Sequence, residues 1–294
     1  MSRQTIGAIV TRTVLLTALA ALPVFLFAGA VERVAAQDDQ PTVVVLTFKG
    51  AVTPVLNQYL DTAIDAALAA GSEAIILQLD TPGGSVEVTK AITQDMLASP
   101  VPIIVYVAPT GAQAASAGTF VTLAGHAAAM APGASIGAAS PVSMDGGEID
   151  ATMQAKITNI LSADIENLAE RRGEEATQWA IAAVQDAAAA TAAQALDLGV
   201  IDIIATDVDD LLVQLDGREV LVRNEARMLR TAGAVQSPLE LTPLQRFLNL
   251  ISSPTIASIL LTLGILGLVV EIRTPGFGFA GIVGIVSLLL AFYG

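Results

Sequence analysis

Gly111-Ala112-Gln113-Ala114-Ala115-Ser116-Ala117-Gly118 sets one hydroxyl among very small side chains. Such neighbours let a substrate backbone approach Ser116, and a helix over about 114–124 would put partial positive potential beside it for a developing anion. The same eight residues also fit a small-residue seam between packed helices, with Ser116 as an N-cap or filler. Upstream, Asp80-Thr81-Pro82-Gly83-Gly84 lies between an apolar run and a helical pattern. Glycines there leave backbone N–H groups uncovered for an oxyanion, although a plain tight turn has the same composition. The segment has neither the Gly-Lys-Ser/Thr end of a P-loop nor the GxGxxG spacing of a dinucleotide site.

A serine nucleophile needs a base. His126 is the chain's one histidine, ten residues beyond Ser116. Ten helical residues span about 15 Å, too far for a hydrogen bond, so His126 is expected to be a capping or surface side chain. A lysine can serve when burial disfavours its charge and draws its pKa down from about 10.4. The chain has three lysines. Lys49 ends a strand-like run and Lys90 stands mid-helix beside Glu87, both readable as solvated. Lys156 shares a helical face with Met153 and Ile160, with Ala155 and Ile157 beside it. It either projects into a desolvated pocket or snorkels at the edge of the apolar stripe.

The elements that must position these residues alternate. Thr42–Phe48 and Ala74–Leu79 are continuous apolar, β-branched runs, as is Pro102–Val107. Helical patterns over 53–70 and about 85–98 separate them, with Gly71 as a stop signal. Strands of this kind joined by helices predict an α/β domain with a largely parallel sheet. A Gly/Ala-rich stretch (111–139), helices over about 149–172 and from Glu174, and a βαβ-like tail (200–222) complete it. Open α/β sheets place their sites where a strand hands over to a helix, as both glycine-bearing segments do.

Charged residues are 14% of the 294 and hydrophobic ones 53%, with a net charge of −14. An ordinary soluble chain has roughly 25% charged residues; the deficit asks for membrane segments. Arg3 and Arg12, the apolar stretch 13–31 and Val34-Ala35-Ala36 fit a secretory signal, cleaved or kept as an anchor, and such a signal exports the adjoining domain. Phe247–Val270 and 274–294 are uncharged runs expected to be two spanning helices or a re-entrant hairpin. The chain stops directly after the second run, as in an unfinished membrane region or a short form. Residues 37–246 carry a net −16, which opposes a nucleic-acid partner. No cysteine and one histidine exclude disulfides, thiolate zinc and multi-histidine metal sites.

Together with Met130-Ala131-Pro132-Gly133-Ala134-Ser135-Ile136-Gly137-Ala138-Ala139, the two glycine-bearing motifs resemble the NfeD family of membrane-bound, ClpP-like serine proteases, from about Thr42 to Val222 and on into the membrane tail. The resemblance implies an α/β, ClpP/crotonase-like spiral followed by transmembrane helices. It implies a Ser–Lys dyad of Ser116 and Lys156, an oxyanion hole from the amides of Gly84 and Ala117, and substrate contacts at Gly83 and Gly84. No metal or nucleotide cofactor is implied. The implied partners are a polypeptide substrate, in particular hydrophobic segments of a stomatin-like membrane protein, and further copies of the chain. The β-barrel domain of long family members has no match in this sequence. The organisation expected is 1–36 as signal peptide or anchor, 37–223 as an extracytoplasmic protease domain, 224–246 as a linker and 247–294 as a multi-pass region of the cell membrane. A protease-like scaffold that binds a stomatin-type protein without cleaving it is the alternative. An acyl-CoA enzyme of the crotonase type is opposed by the export signal and the acidic domain.

Overall fold

The computed structural model describes residues 40–142, 150–273 and 278–293; the expected leader, 1–36, lies outside them. Strand β1 (Thr42–Lys49) runs through Gly50–Thr53 to helix α1 (Pro54–Ala70). Pro54 occupies a first-turn position where its missing N–H costs nothing. Gly71 ends the helix in the left-handed region, its N–H returning to Ala67 and Leu68. β2 (Ala74–Asp80), α2 (Val86–Ala98), capped by Ser85, and β3 (Ile103–Val107) succeed it as the hydrophobic periods require.

The Gly/Ala-rich segment holds more structure than its composition announces. It forms β4 (Gln113–Ala115), α3 (Ala117–Ala124), β5 (Ala127–Met130) and β6 (Ser135–Gly137). The helix expected from 114 therefore begins three residues later, after a short strand. β5 reads Ala-Ala-Ala-Met and has poor β-propensity, but all four residues are buried between strands, and burial decides. Then come α4 (Ala151–Ala169), a 3₁₀ turn (Glu170–Arg172), α5 (Glu174–Gln185), β7 (Ala189–Thr191), α6 (Ala192–Asp197), β8 (Ile203–Ile204) and α7 (Val208–Leu215).

The main sheet has order β11-β1-β2-β3-β5-β8, with β11 formed by Val235–Leu239, and every pair is parallel. Both faces are covered, which is why its strands read as unbroken apolar runs. Leu46, Phe48, Leu77 and Val105 pack with Leu56 and Leu60 of α1 on one face. Val45, Ile76, Ile104 and Tyr106 pack with Leu211 and Leu215 of α7 on the other. Each fully buried Leu or Ile contributes about 1.5–3 kcal/mol. A second, small sheet, β4-β6-β7, stands at the carboxyl end of the first.

Residues 224–246, expected as a linker, are built into the domain. β9 (Glu219–Val222) and β10 (Glu225–Met228) form a hairpin whose turn residues, Arg223 and Asn224, both have positive φ, as the twist-matching two-residue turn requires. β11 (Val235–Leu239) then adds a sixth strand beside β1, and Tyr59 donates its hydroxyl to the Leu239 carbonyl. The run is polar because an edge strand exposes most of its side chains, so hydropathy carries no sign of it.

Helix α8 (Pro243–Ile251) leads to α9 (Pro254–Arg273) and α10 (Phe279–Tyr293). Of the two expected spans, α9 is long and apolar enough to cross a bilayer; α10 is a shorter apolar helix of 15 residues. The pair packs through a small-residue seam. A Cβ on Gly267 would sit 2.7 Å from the Ala280 carbonyl oxygen and 2.8 Å from Gly284 Cα. Glu271 accepts the Gly281 N–H at 3.2 Å, satisfying one open donor in the first turn of α10.

If β11 belongs to the domain, a chain ending at Arg223 is less stable than one ending at Ser252. A fall in Tm of about 5 °C or more is expected, read by thermal unfolding of the two soluble forms; equal Tm values would return 224–246 to a linker.

Candidate active site

The parallel sheet presents the loops after β2 and β3 at its carboxyl edge, the usual place for a site in such folds. Thr81 ties the two together. Its N–H donates to the Gln113 carbonyl at 2.7 Å and its carbonyl accepts from the Ala115 N–H at 3.1 Å. Its buried hydroxyl bridges to the Gly83 N–H and carbonyl, 3.1 Å each. The Asp80–Gly84 loop and the Ser116 strand are thereby one unit.

Ser116 sits between β4 and α3 with φ 52° and ψ −115°. A non-glycine residue there carries strain of order 1–3 kcal/mol, as serines on sharp strand-to-helix turns do. Local hydrogen bonds hold it. The Ser116 N–H donates to the Gly137 carbonyl at 2.9 Å. Thr119, fully buried, places its hydroxyl 3.1 Å from the carbonyls of Ala114 and Gly137 and from the Gly137 N–H. The far end of α3 is fixed by Arg171, which donates to the carbonyls of Leu123 and Gly125 at 2.6 Å. Burial, then the charge of Arg172, draws Arg171 down to about 10.

Gly83 and Gly84 have different steric reasons to be glycine. Gly83 has φ 126°, and a Cβ there would stand 2.8 Å from the Ser116 Cβ. Gly84 forms a parallel bridge with Val52; any side chain would strike the Val52 backbone. In that bridge Val52 bonds to the Gly83 carbonyl and the Ser85 N–H, so the amide of Gly84 itself faces the opposite way. The N–H groups of Gly84 and Ala117 donate to no other described residue. As the first residue of α3, Ala117 has an amide with no partner inside its helix.

Ser116, Gly83, Gly84 and Ala117 all line a cavity of about 620 Å³. Its walls are largely apolar: Val86 and Leu97 of α2, Phe120 of α3, and Ile157, Leu161 and Leu168 of α4. Lys90 and Asp164 form an ion pair at 3.2 Å between α2 and α4 within this lining. Lys90 is exposed, as its sequence position suggests, and what the pattern of one helix does not reveal is its cross-helix contact with Asp164.

Lys156 is not brought to the serine. It is exposed and does not line the cavity, whereas Ile157, about 100° round the helix, does. It stands between Met153 and Ile160, which are 51% and 59% exposed, so the apolar stripe flanking it faces outward. The snorkelling geometry is the one observed.

His126 is neither capping a helix nor at the surface. Its Nδ1 accepts the Ile103 N–H at 3.0 Å, and burial, then the Arg171 charge, lowers its pKa to about 4. It is a neutral structural acceptor at the amino end of β3, remote from the hydroxyl. Thr81 and Thr119 escape a reading of the sequence because buried threonines carry no spacing signal. Among the described residues no cluster of His, Asp or Glu could hold a metal.

Fold and site together define an α/β domain with an elbow serine, two unclaimed amides and an apolar cavity, joined to a hydrophobic helical tail. Residues 42–225 match the family profile described as NfeD1b, N-terminal domain, and 255–294 match the NfeD integral membrane domain; the chain belongs to the NfeD family and is a membrane protein. It is 37% identical over 257 residues to the membrane-bound protease PH1510 of Pyrococcus horikoshii, an alignment covering 86% of this chain and 58% of that one. The chain thus spans under two thirds of that relative's length. Among solved structures it is similar to a serine-to-alanine variant of 1510-N, a membrane-bound stomatin-specific protease (TM-score 0.64, 36% identity, 68% of this chain and 98% of that one). A lysine-to-alanine variant of 1510-N in complex with a substrate peptide is equally similar (TM-score 0.65, 34% identity, 73% and 99%).

Two measurements check this site's scaffolding. Thr119→Val removes the hydroxyl that satisfies Ala114 and Gly137 and is expected to cost about 1–3 kcal/mol in urea unfolding; no loss would show that the elbow is held otherwise. His126 in the unfolded chain protonates near 6.5 but in the fold only near 4. Its contribution is therefore complete above pH 6.5 and is lost as pH falls through that window. His126→Asn keeps an acceptor for Ile103 and should flatten the decline between pH 6.5 and 4; identical slopes in both proteins would contradict the assignment.

Proposed function

We propose that this chain is a membrane-anchored serine endopeptidase working by a Ser–Lys dyad. The observation that carries the reading is the strained Ser116 on an apolar cavity beside the unclaimed amides of Gly84 and Ala117. The serine and lysine variants of its 1510-N relative, one of them holding a peptide, support the same pair of residue types. In this reading neutral Lys156 takes the Ser116 proton as Oγ bonds to the peptide carbonyl carbon. The two amides hold the tetrahedral oxyanion. Collapse breaks the C–N bond, the Lys156 ammonium returns its proton to the leaving amine, and water hydrolyses the acyl-serine. Lys156 enters this sequence by swinging past Ile157 into the cavity.

The apolar walls favour extended, hydrophobic segments as substrate, with Gly83 and Gly84 leaving room for the peptide backbone. A stomatin-like membrane protein is the partner suggested by the relative's description as stomatin-specific. The leader pattern supports a domain outside the cytoplasm, and in this reading the 247–294 region is a multi-pass anchor and copies of the chain associate. The outward position of Lys156 favours a second reading, a scaffold that binds such a partner without cleaving it.

The test uses the full chain in liposomes with an apolar peptide. Ser116→Ala and Lys156→Ala should each lower cleavage by about a thousandfold or more while peptide binding persists. Binding without turnover in any form selects the scaffold. Loss in Lys90→Ala with retention in Lys156→Ala moves the base to Lys90.

A further inference from the structure

Helix α8 carries two kinds of apolar side chain. Leu248 packs against the domain core and Ile251 is buried. Leu244, Phe247 and Leu250, at three-residue spacing, are 65%, 46% and 57% exposed. The polar residues Gln245, Arg246 and Asn249 occupy the other side of the helix, so α8 is amphipathic with an apolar arc wider than the domain covers.

Two facts say what meets the uncovered arc. The membrane-crossing helix α9 begins at Pro254, three residues after α8 ends, which places α8 at the depth where the chain enters the bilayer. The domain before it carries a net −16 over residues 37–246, so its charge repels anionic lipid, and apolar contact is the available attraction. We infer that α8 lies in the membrane interface with Leu244, Phe247 and Leu250 inserted at the headgroup–acyl boundary, and that a lipid surface is the partner of this face.

The seat has a direction. β11 runs parallel to β1 and ends beside its carboxyl half, Leu239 opposite Leu46, so α8 starts at the same sheet edge as the serine and glycine loops. Asn249 donates to the Lys49 carbonyl at 3.0 Å. Three residues on from Lys49, Val52 bridges Gly84. The helix lying on the bilayer is therefore tied through one short segment to the loop that lines the cavity, and the cavity's edge of the sheet is the edge turned to the membrane. This surface does not depend on the proposed hydrolytic activity.

The chain has no cysteine, which makes single labels clean. Leu244→Cys, Phe247→Cys and Leu250→Cys, each carrying an environment-sensitive nitrobenzoxadiazole, would be compared in the full chain in phosphatidylcholine–phosphatidylglycerol liposomes. Val213→Cys on α7, 67% exposed, is the control. All three α8 labels should be quenched by acyl-chain nitroxide lipid about threefold or more above the control and shielded from iodide to a similar degree. Iodide access equal to that at 213, or lipid quenching at fewer than all three sites, overturns the interface. Shielding from iodide without lipid quenching, growing with protein density, overturns it in favour of a second copy of the chain.

Discussion

The backbone of Ser116 is the constraint on which the site depends. A non-glycine residue at φ 52° and ψ −115° lies outside the conformations an L-residue adopts freely, and its strain of order 1–3 kcal/mol persists only where neighbours over-determine it. They do so here from three directions. β6 takes the Ser116 amide, Thr119 closes β4 and β6 onto the first turn of α3, and Arg171 holds the last turn by its carbonyls. Each of these contacts is buried or half-buried, so each would lose a hydrogen bond without gaining water if the elbow relaxed. The result is a hydroxyl raised on a turn, directly over Gly83, with the first open amide of a helix next to it.

The same constraint explains the composition of the surrounding motifs. Strand β4 must approach Thr81 closely enough for two backbone hydrogen bonds, and β5 must fit between β3 and β8. Alanine and glycine are the residues that allow such spacing. A stretch that looks featureless by hydropathy is thus closely constrained by backbone hydrogen bonds and tight approaches. Strand period and helix period both fail there, because the elements are three to eight residues long and nearly every position is small.

The legibility of each element in the sequence tracks its length and burial. β1, α1, β2, α2 and β3 are long or strongly apolar, and their limits can be read from Pro54, Gly71 and Ser99-Pro100. The serine and the two glycines can be nominated from their place at strand-to-helix turns together with the family resemblance, because residue type alone fits an N-cap or a tight turn as well. β4, β6 and β11 cannot be read in this way. The first two are three residues long, and β11 is an exposed edge strand whose partner β1 stands at the far end of the domain's sequence. The Lys90–Asp164 pair joins helices that the sequence separates by 74 positions. Local pattern carries no information about partners at that distance, whereas a tertiary contact decides them.

The position of Lys156 shows where pattern and energetics part. A helical stripe of Met153, Ile157 and Ile160 predicts one buried face, yet only Ile157 turns to the cavity and the other two face outward. An ammonium entering an apolar-walled cavity gives up hydration worth several kcal/mol, and the carboxylate already there, Asp164, is engaged by Lys90. For Lys156 alone, water is the lower-energy surrounding. The exposed methionine and isoleucine on either side provide a path on which the aliphatic stem can lie in either direction. The outward amine is therefore the state that the cavity's own electrostatics select. For the proposed dyad the amine must give up that hydration on its way past Ile157 into the cavity.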